Sequence, residues 1–150
     1  MRIYEGKIVY ELVREGYPVI VDASLKVMLY MRDAFEENPV QESMWVISLN
    51  RKNRALGRTM ISLGIAHGTL IEPREVFRVA ILGHASSIIL VHNHPSGDPS
   101  PSAADVRVTR QMRQASEIMS INLLDHVIVG CPQEDTSMSG YYSFADHGMI

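Results

Sequence analysis

An apolar run that ends in two histidines constrains this chain more than any other feature: residues 88–95 read Ile-Ile-Leu-Val-His-Asn-His-Pro. The run from Ser86 to Val91 is too short for an ordinary helix and is rich in β-branched residues, so it predicts a buried strand. Side chains two positions apart on a strand point to the same face, with Cα atoms roughly 6.6 Å apart. The imidazoles of His92 and His94 are therefore expected to converge on one ion.

A carboxylate is predicted to join the two imidazoles. Residues 95–101, Pro-Ser-Gly-Asp-Pro-Ser-Pro, are dense in turn formers and lead back into a predicted helix whose first turn carries Asp105. Two His nitrogens and one carboxylate oxygen leave a tetrahedral zinc ion one corner open to water, the arrangement of catalytic rather than structural zinc. An ordinary helix start explains the same letters, because Ser102 suits the N-cap and an acidic residue three positions later suits the helix dipole. Both roles stay open for Asp105, and the two histidines before the turn favour metal binding.

Composition favours a globular domain without disulfides. The chain has 150 residues, 46% of them apolar, which suits one domain with a sizeable core. Cys131 is the only cysteine, so we expect a small packing residue and no disulfide or cysteine-based zinc cluster. A net charge of −3 gives no overall attraction to nucleic acid. Because the first residues lack the pattern of a secretion signal and no apolar run has the length of a membrane helix, we expect a cytoplasmic protein without membrane contact.

Periodicity along the chain predicts an α/β fold. The order strand, helix, hairpin, helix, strand, helix, strand implies a single-domain mixed β-sheet flanked by helices. We predict that residues 1–39 form an N-terminal strand and helix that pack onto the main domain, residues 40–150. The individual predictions are strands at 7–13, 42–50, 55–63, 86–91, 123–129 and 141–145, and helices at 22–37, 72–85 and 102–120.

The motif from His92 to Pro99, followed by Pro101-Ser102 and Asp105, resembles the RadC branch of the JAMM/MPN+ superfamily of metalloprotease-like JAB domains. The resemblance covers about residues 42–150 and implies a cytidine-deaminase-like architecture, with a sheet between helices and the metal at one end of the sheet. Further similarity lies at residues 68–70 (Gly-Thr-Leu), 73–78 (Pro-Arg-Glu-Val-Phe-Arg), 124–130 (Leu-Asp-His-Val-Ile-Val-Gly) and 143–145 (Ser-Phe-Ala).

The resemblance also implies a role for each residue of the site. It implies that His92, His94 and Asp105 hold zinc. Ser102 would form a hydrogen bond near the open coordination position, and Glu42 would be the general acid/base. Spacing alone does not distinguish Glu42 from the other glutamates. Because zinc can lower the pKa of a bound water from about 15.7 to about 7, the implied reaction is hydrolysis of an amide or isopeptide bond in a peptide or protein.

A module that keeps the metal without catalysis is the alternative hypothesis. Such a module would keep the metal for stability, or would be DNA-associated and linked to DNA repair or mobile-element biology. In the second case it would contact phosphates through two basic clusters that a solvated surface also explains. Asn93 stands where deubiquitinating members of the superfamily have Ser or Thr, which argues against ubiquitin as the substrate. The sequence makes no prediction of the oligomeric state. The two clusters are the turn Arg51, Lys52 and Arg54 and the helical row Arg107, Arg110 and Arg113.

Overall fold

In the part of the chain that the structure describes, a five-stranded sheet flanked by helices forms the core. The structure, a computed structural model, describes residues 1, 18–64 and 71–150. The predicted strand at 7–13 and the family similarity at 68–70 lie outside the described residues. None of the helices in the described ranges combines the length and the apolar character that a bilayer-spanning segment needs.

The described elements follow the predicted order. The hairpin, the two later helices and the central strand lie where periodicity and turn residues placed them. The helices are α1 (Ser24–Met31), α2 (Pro73–Leu82) and α3 (Ala103–Met119), and the strands are β1 (Ser43–Leu49), β2 (Ala55–Leu63), β3 (Ser87–Asn93), β4 (Asn122–Val129) and β5 (Tyr141–Ser143).

The sheet is mixed, as predicted. Its strand order is β2-β1-β3-β4-β5. β1 runs antiparallel to both β2 and β3, β4 runs parallel to β3, and β5 returns antiparallel to β4. The parallel pair is joined through α3, the crossover helix that parallel neighbours require. The carboxyl ends of β3 and β4 and the start of α3 therefore meet at one edge, where ligands of α/β sheets commonly bind.

Each face of the sheet has its own apolar core. α2 and α3 cover one face and α1 covers the other, and alternate residues of β1 and β3 supply both cores because strand side chains alternate. β3 is buried along its whole length, which fits its continuous apolar sequence. The first core contains Met44, Val46, Val76, Phe77, Ala80, Ile88, Leu90, Met112, Ile121 and Leu123. The second contains Val21, Val27, Met31, Phe35, Ile47, Leu49, Ile89, Val91 and Val127.

The first described helix is shorter than the sequence predicted. The expected helix at 22–37 is α-helical only over Ser24–Met31 and then tightens into a 3₁₀ turn over Arg32–Phe35. The tighter turn brings the buried Phe35 ring against Trp45, edge to face with centroids 6.5 Å apart. The α-helix therefore ends at Met31, where this aromatic pair packs, although local helix propensity did not predict an end there.

β3 extends two residues beyond the predicted strand. Pairing with both neighbouring strands extends β3, because His92 pairs with Met44 of β1 and Asn93 pairs with Val129 of β4. His92 is thus a strand residue, and His94 follows directly after the strand.

Candidate metal centre

Three elements bring four ligand-type side chains together at one end of the sheet. His92 and His94 come from the end of β3, and Asp105 comes from the first turn of α3. Glu42 directly precedes β1, whose Met44 pairs with His92. One nitrogen or oxygen from each of these four residues lies within 4.8 Å of all the others. The structure therefore unites the three predicted ligands with the predicted acid/base.

The donor atoms of three residues, two ring nitrogens and the two oxygens of one carboxylate, lie at distances compatible with a single tetrahedral ion. The Nε2 atoms of His92 and His94 are 3.1 Å apart. Asp105 places Oδ1 3.2 Å from the first nitrogen and Oδ2 3.5 Å from the second. An ion that binds nitrogen and oxygen at about 2.0–2.1 Å separates its tetrahedral ligand atoms by about 3.3 Å. These two nitrogens and the carboxylate can therefore serve as ligands of one metal ion.

The loop between β3 and α3 orients the ring of His94. Its Nδ1 lies 2.8 Å from the backbone oxygen of Asp98, so this nitrogen donates and the neutral ring has its lone pair on Nε2. Gly97 has a φ of +88°, and a Cβ there would lie 2.5 Å from the sulfur of Cys131. A Cβ on Gly130 would lie 2.1 Å from the Gly97 oxygen. The two glycines thus permit the close packing that holds this loop, and Cys131 packs against it as expected.

Burial and charge favour a cation inside the cluster. Burial alone would raise the pKa of Asp105, but hydrogen bonds with His92 and His94 hold that pKa well below its usual range. Burial also disfavours a charged His94, yet its hydrogen bond with Asp105 raises the pKa of the ring. In the absence of metal the carboxylate therefore stays ionised and attracts a proton to the neighbouring imidazole.

Asp105 caps α3 and also faces the two histidines, so its position is compatible with both of the roles that the sequence left open. Its Oδ2 accepts hydrogen bonds from the Ser102 backbone N–H and hydroxyl, each at 2.7 Å, and its own N–H donates to Ser102 Oγ at 3.1 Å. These contacts make a reciprocal capping box with Ser102 as the N-cap, although Asp is shorter than the Glu or Gln usual at the third position. The cap orients the carboxylate, whose other oxygen faces His92.

Glu42 lies at the accessible side of the cluster. Its Oε1 is 4.0 Å from His92 Nε2, and its side chain is 37% exposed. The Asn93 side chain fixes the backbone on both sides of Glu42. Asn93 Oδ1 accepts from the Ser43 backbone N–H at 2.8 Å, and Asn93 Nδ2 donates to the Gln41 backbone oxygen at 3.1 Å. The residue between the two histidines thus anchors the segment that carries Glu42.

Sequence reasoning missed two residues behind the cluster. The His126 ring of β4 contacts His92 through ring nitrogens 2.9 Å apart, and its other nitrogen lies 2.6 Å from Thr109 Oγ1 of α3. Burial lowers the pKa of His126 well below its ordinary value, so the ring is neutral. The signal available in the sequence was a histidine inside the apolar run of β4, together with a threonine one helical turn after Asp105.

The predicted basic clusters lie apart from each other. The turn Arg51–Arg54 joins β1 to β2 at the end of β1 remote from Glu42, and the row Arg107, Arg110 and Arg113 lies exposed on α3. None of these side chains forms an ion pair with the residues that the structure describes. They are exposed charges on two separate elements.

Comparison with known proteins agrees with this architecture. A profile of the RadC-like JAB domain matches residues 21–149. A UPF0758 protein of Thermotoga maritima is 41% identical over 136 residues, which cover 91% of this chain and 57% of the relative. A UPF0758 protein of Caldanaerobacter subterraneus subsp. tengcongensis is 48% identical over 105 residues, which cover 69% of this chain and 45% of the relative. The chain thus spans about half the length of these curated relatives.

The family match includes most of the described chain. It begins before α1 and ends after β5, so that it takes in both apolar cores and all four side chains of the cluster. The mixed sheet between helices is the architecture that the sequence resemblance implied. This chain belongs to the RadC-like JAB domain family.

Proposed function

We propose that this chain is a zinc-dependent hydrolase that cleaves an amide or isopeptide bond in a peptide or protein. The observation that carries the proposal is the cluster itself: two imidazole nitrogens and a carboxylate at the spacing of one tetrahedral ion, with a second carboxylate beside them. Three protein ligands leave one coordination position for water or substrate, which is characteristic of catalytic sites.

The donor set favours zinc among the common biological cations. Magnesium and calcium prefer sites built mainly from oxygen atoms, whereas imidazole nitrogens suit zinc and other first-row transition metals. His92 and His94 supply two such nitrogens, and the single lone-pair nitrogen of His94 is already directed at the cluster by Asp98. Zinc is therefore the resident ion that we assign.

Glu42 is the residue to which we assign proton transfer. A zinc ion bound here would acidify a water molecule and polarise the scissile carbonyl. Glu42 accepts the proton of that water as its oxygen bonds to the carbonyl carbon, and donates a proton to the amine as the C–N bond breaks. The 37% exposure of the Glu42 side chain leaves it accessible to both water and substrate.

Ser102 is the residue to which we assign stabilisation of the oxyanion. A donor that meets the developing negative charge contributes about 2.7–4 kcal/mol to catalysis. In the structure the Ser102 hydroxyl donates to Asp105 at 2.7 Å. The assigned role therefore requires this hydroxyl to rotate toward the substrate, while the Ser102 backbone N–H keeps its hydrogen bond to the carboxylate.

The test uses Glu42→Gln, a substitution that removes the proton acceptor and keeps the shape of the side chain. We expect cleavage of a peptide library, containing both α-peptide and lysine isopeptide bonds, to fall about 10²–10⁴-fold. Zinc stoichiometry should be unchanged. Glu37→Gln, at an exposed glutamate outside the cluster, is the matched control and should cleave like the wild type.

Two outcomes would contradict the proposal. Zinc-loaded Glu42→Gln protein that cleaves at the wild-type rate would remove Glu42 from the mechanism. Wild-type protein that holds zinc, cleaves no member of the library and binds DNA in a salt-dependent manner through its exposed arginines would favour the non-catalytic alternative.

A further inference from the structure

A row of hydrogen bonds joins the backbone of one predicted metal ligand to the ring of another. His92 Nδ1 lies 2.9 Å from His126 Nε2, and His126 Nδ1 lies 2.6 Å from Thr109 Oγ1. Thr109 Oγ1 lies 2.7 Å from the backbone oxygen of Asp105. Both rings are completely buried, and Thr109 is 2% exposed. Water does not reach these contacts, so each polar atom depends on its protein partner.

The carbonyl at one end fixes the direction of every hydrogen bond in the row. A carbonyl oxygen only accepts, so the Thr109 hydroxyl donates its single proton to Asp105. The Thr109 oxygen must then accept from His126, whose proton therefore sits on Nδ1. In a neutral ring this leaves His126 Nε2 as an acceptor, and His92 donates to it from Nδ1. When the His92 ring is also neutral, its remaining nitrogen, Nε2, carries the lone pair; only a ring protonated on both nitrogens donates from Nε2 to Asp105 Oδ1, 3.2 Å away.

We propose that Thr109 and His126 are positioning residues for the metal centre, which hold His92 in the tautomer whose Nε2 is free to bind the ion. The inference rests on the proposed metal site. A hydrogen bond from the non-ligating nitrogen is the usual way in which proteins orient a metal-binding histidine and strengthen it as a ligand. Here the acceptor is a second histidine, and the orientation originates in the backbone of Asp105.

The two ligand histidines reach the same tautomer from different sides. His94 donates from Nδ1 to the Asp98 carbonyl of the loop, while His92 donates from Nδ1 into the buried row. Their free nitrogens consequently face each other at 3.1 Å. Two lone pairs repel at this distance unless a proton or a metal ion lies between them, so the row prepares the cluster for a cation.

A purely structural role for His126 makes a different prediction. Its ring stacks on Phe144, with centroids 4.9 Å apart and planes 7° from parallel. If stacking were its whole contribution, another aromatic ring would replace it, and the Thr109 hydroxyl would have no influence on metal binding.

The first test compares zinc affinities, measured by competition with a chromophoric chelator. Thr109→Val keeps the shape of the side chain and removes the hydroxyl, and we expect zinc affinity to fall 10–100-fold. Thr109→Ser keeps the hydroxyl and should bind zinc as the wild type does. His126→Phe keeps the stacked ring and should lose at least as much affinity as Thr109→Val. Wild-type affinity in Thr109→Val would overturn the proposal.

The second test reads the tautomer directly. Long-range ¹H–¹⁵N spectra of the histidine rings should place the His126 proton on Nδ1 in the wild type, with and without zinc. A proton on Nε2 would reverse the row and overturn the proposal even if the variants failed to fold. Because this spectrum needs no metal, its failure is distinguishable from failure of the proposed function, which would appear as wild-type protein that binds no zinc or cleaves no substrate.

Discussion

Two neighbouring residues of β4, Asp125 and His126, begin buried polar networks of opposite kinds on the two faces of the sheet. The Asp125 carboxylate is 6% exposed and accepts from the Ser143 hydroxyl at 2.6 Å and from the Ala145 N–H at 3.0 Å. A third donor is the His126 backbone N–H, at 2.7 Å. Burial raises the pKa of Asp125, and these hydrogen bonds only partly offset it. This network is complete within the chain.

The network of His126 ends differently. It runs through His92 to the Nε2 atom of that ring. This atom faces the Nε2 of His94 and the carboxylates of Glu42 and Asp105. Buried polar groups normally have complementary partners, so a cluster of acceptors is a candidate site for a proton or a metal ion. The comparison teaches that burial of polar residues alone does not identify a functional site. A site is marked by a network whose last atoms require something that the chain does not supply.

The largest effect is expected from a substitution at Asp105, the carboxylate at which the His126 network meets the cluster. Asp105→Asn keeps the size of the side chain and an acceptor for the Ser102 N–H, but it removes the charge and one strong ligand. Loss of zinc affinity should exceed the 10–100-fold that substitutions behind a ligand cause. Titration against a chelator measures it. Asp33→Asn, which disrupts an exposed ion pair with Arg58, is the control and should bind zinc normally.

The second largest effect is expected from a substitution of Asp125, which removes the acceptor of the network that is complete within the chain. Asp125→Ala leaves the Ser143 hydroxyl and two backbone N–H groups without their acceptor, at an expected cost of about 1–3 kcal/mol in the free energy of unfolding. Urea denaturation of the metal-free protein measures this loss. The folded variant should bind zinc with wild-type affinity, because its substitution lies on the other face of β4. A variant with wild-type stability and weakened zinc binding would invert the comparison.

The smallest expected effect is a pH dependence in the metal-free protein. The pKa of folded His94 is raised above 6.5 through its hydrogen bond with Asp105. The stabilisation is therefore fully present below pH 6.5 and is lost as the pH rises through the raised pKa. The difference in unfolding free energy between wild type and Asp105→Asn should shrink over this interval. A difference that grows with rising pH would contradict the conclusion that Asp105 favours the protonated form of His94.

The clustering of His92, His94 and Asp105 could be predicted from the sequence because it depends on local geometry. Strand alternation places His92 and His94 on one side, and a short turn-rich loop returns the chain to Asp105. The role of Glu42 came only from the family resemblance. Its position depends on the antiparallel register of β1 with β3, which no local pattern specifies.

Thr109 and His126, which lie behind the cluster, could be identified only from the tertiary structure. His126 reaches His92 because β4 lies parallel to β3 with a register shift between Ile88 and Ile89. A histidine in an apolar strand is compatible with many partners, and Thr109 reads as an ordinary helix residue. Only the packing of α3 over this face of the sheet brings their polar atoms into contact.

Titration of metal-free protein with cobalt(II) tests the central claim most directly, because the visible spectrum of cobalt reports both the number and the geometry of its ligands. We predict that an absorption band typical of tetrahedral coordination saturates at one ion per chain. Zinc should displace it, and Asp105→Asn should not develop it. A wild-type protein that shows no such band, or that binds cobalt with the same spectrum after Asp105→Asn, would contradict the assignment of this cluster as a metal centre.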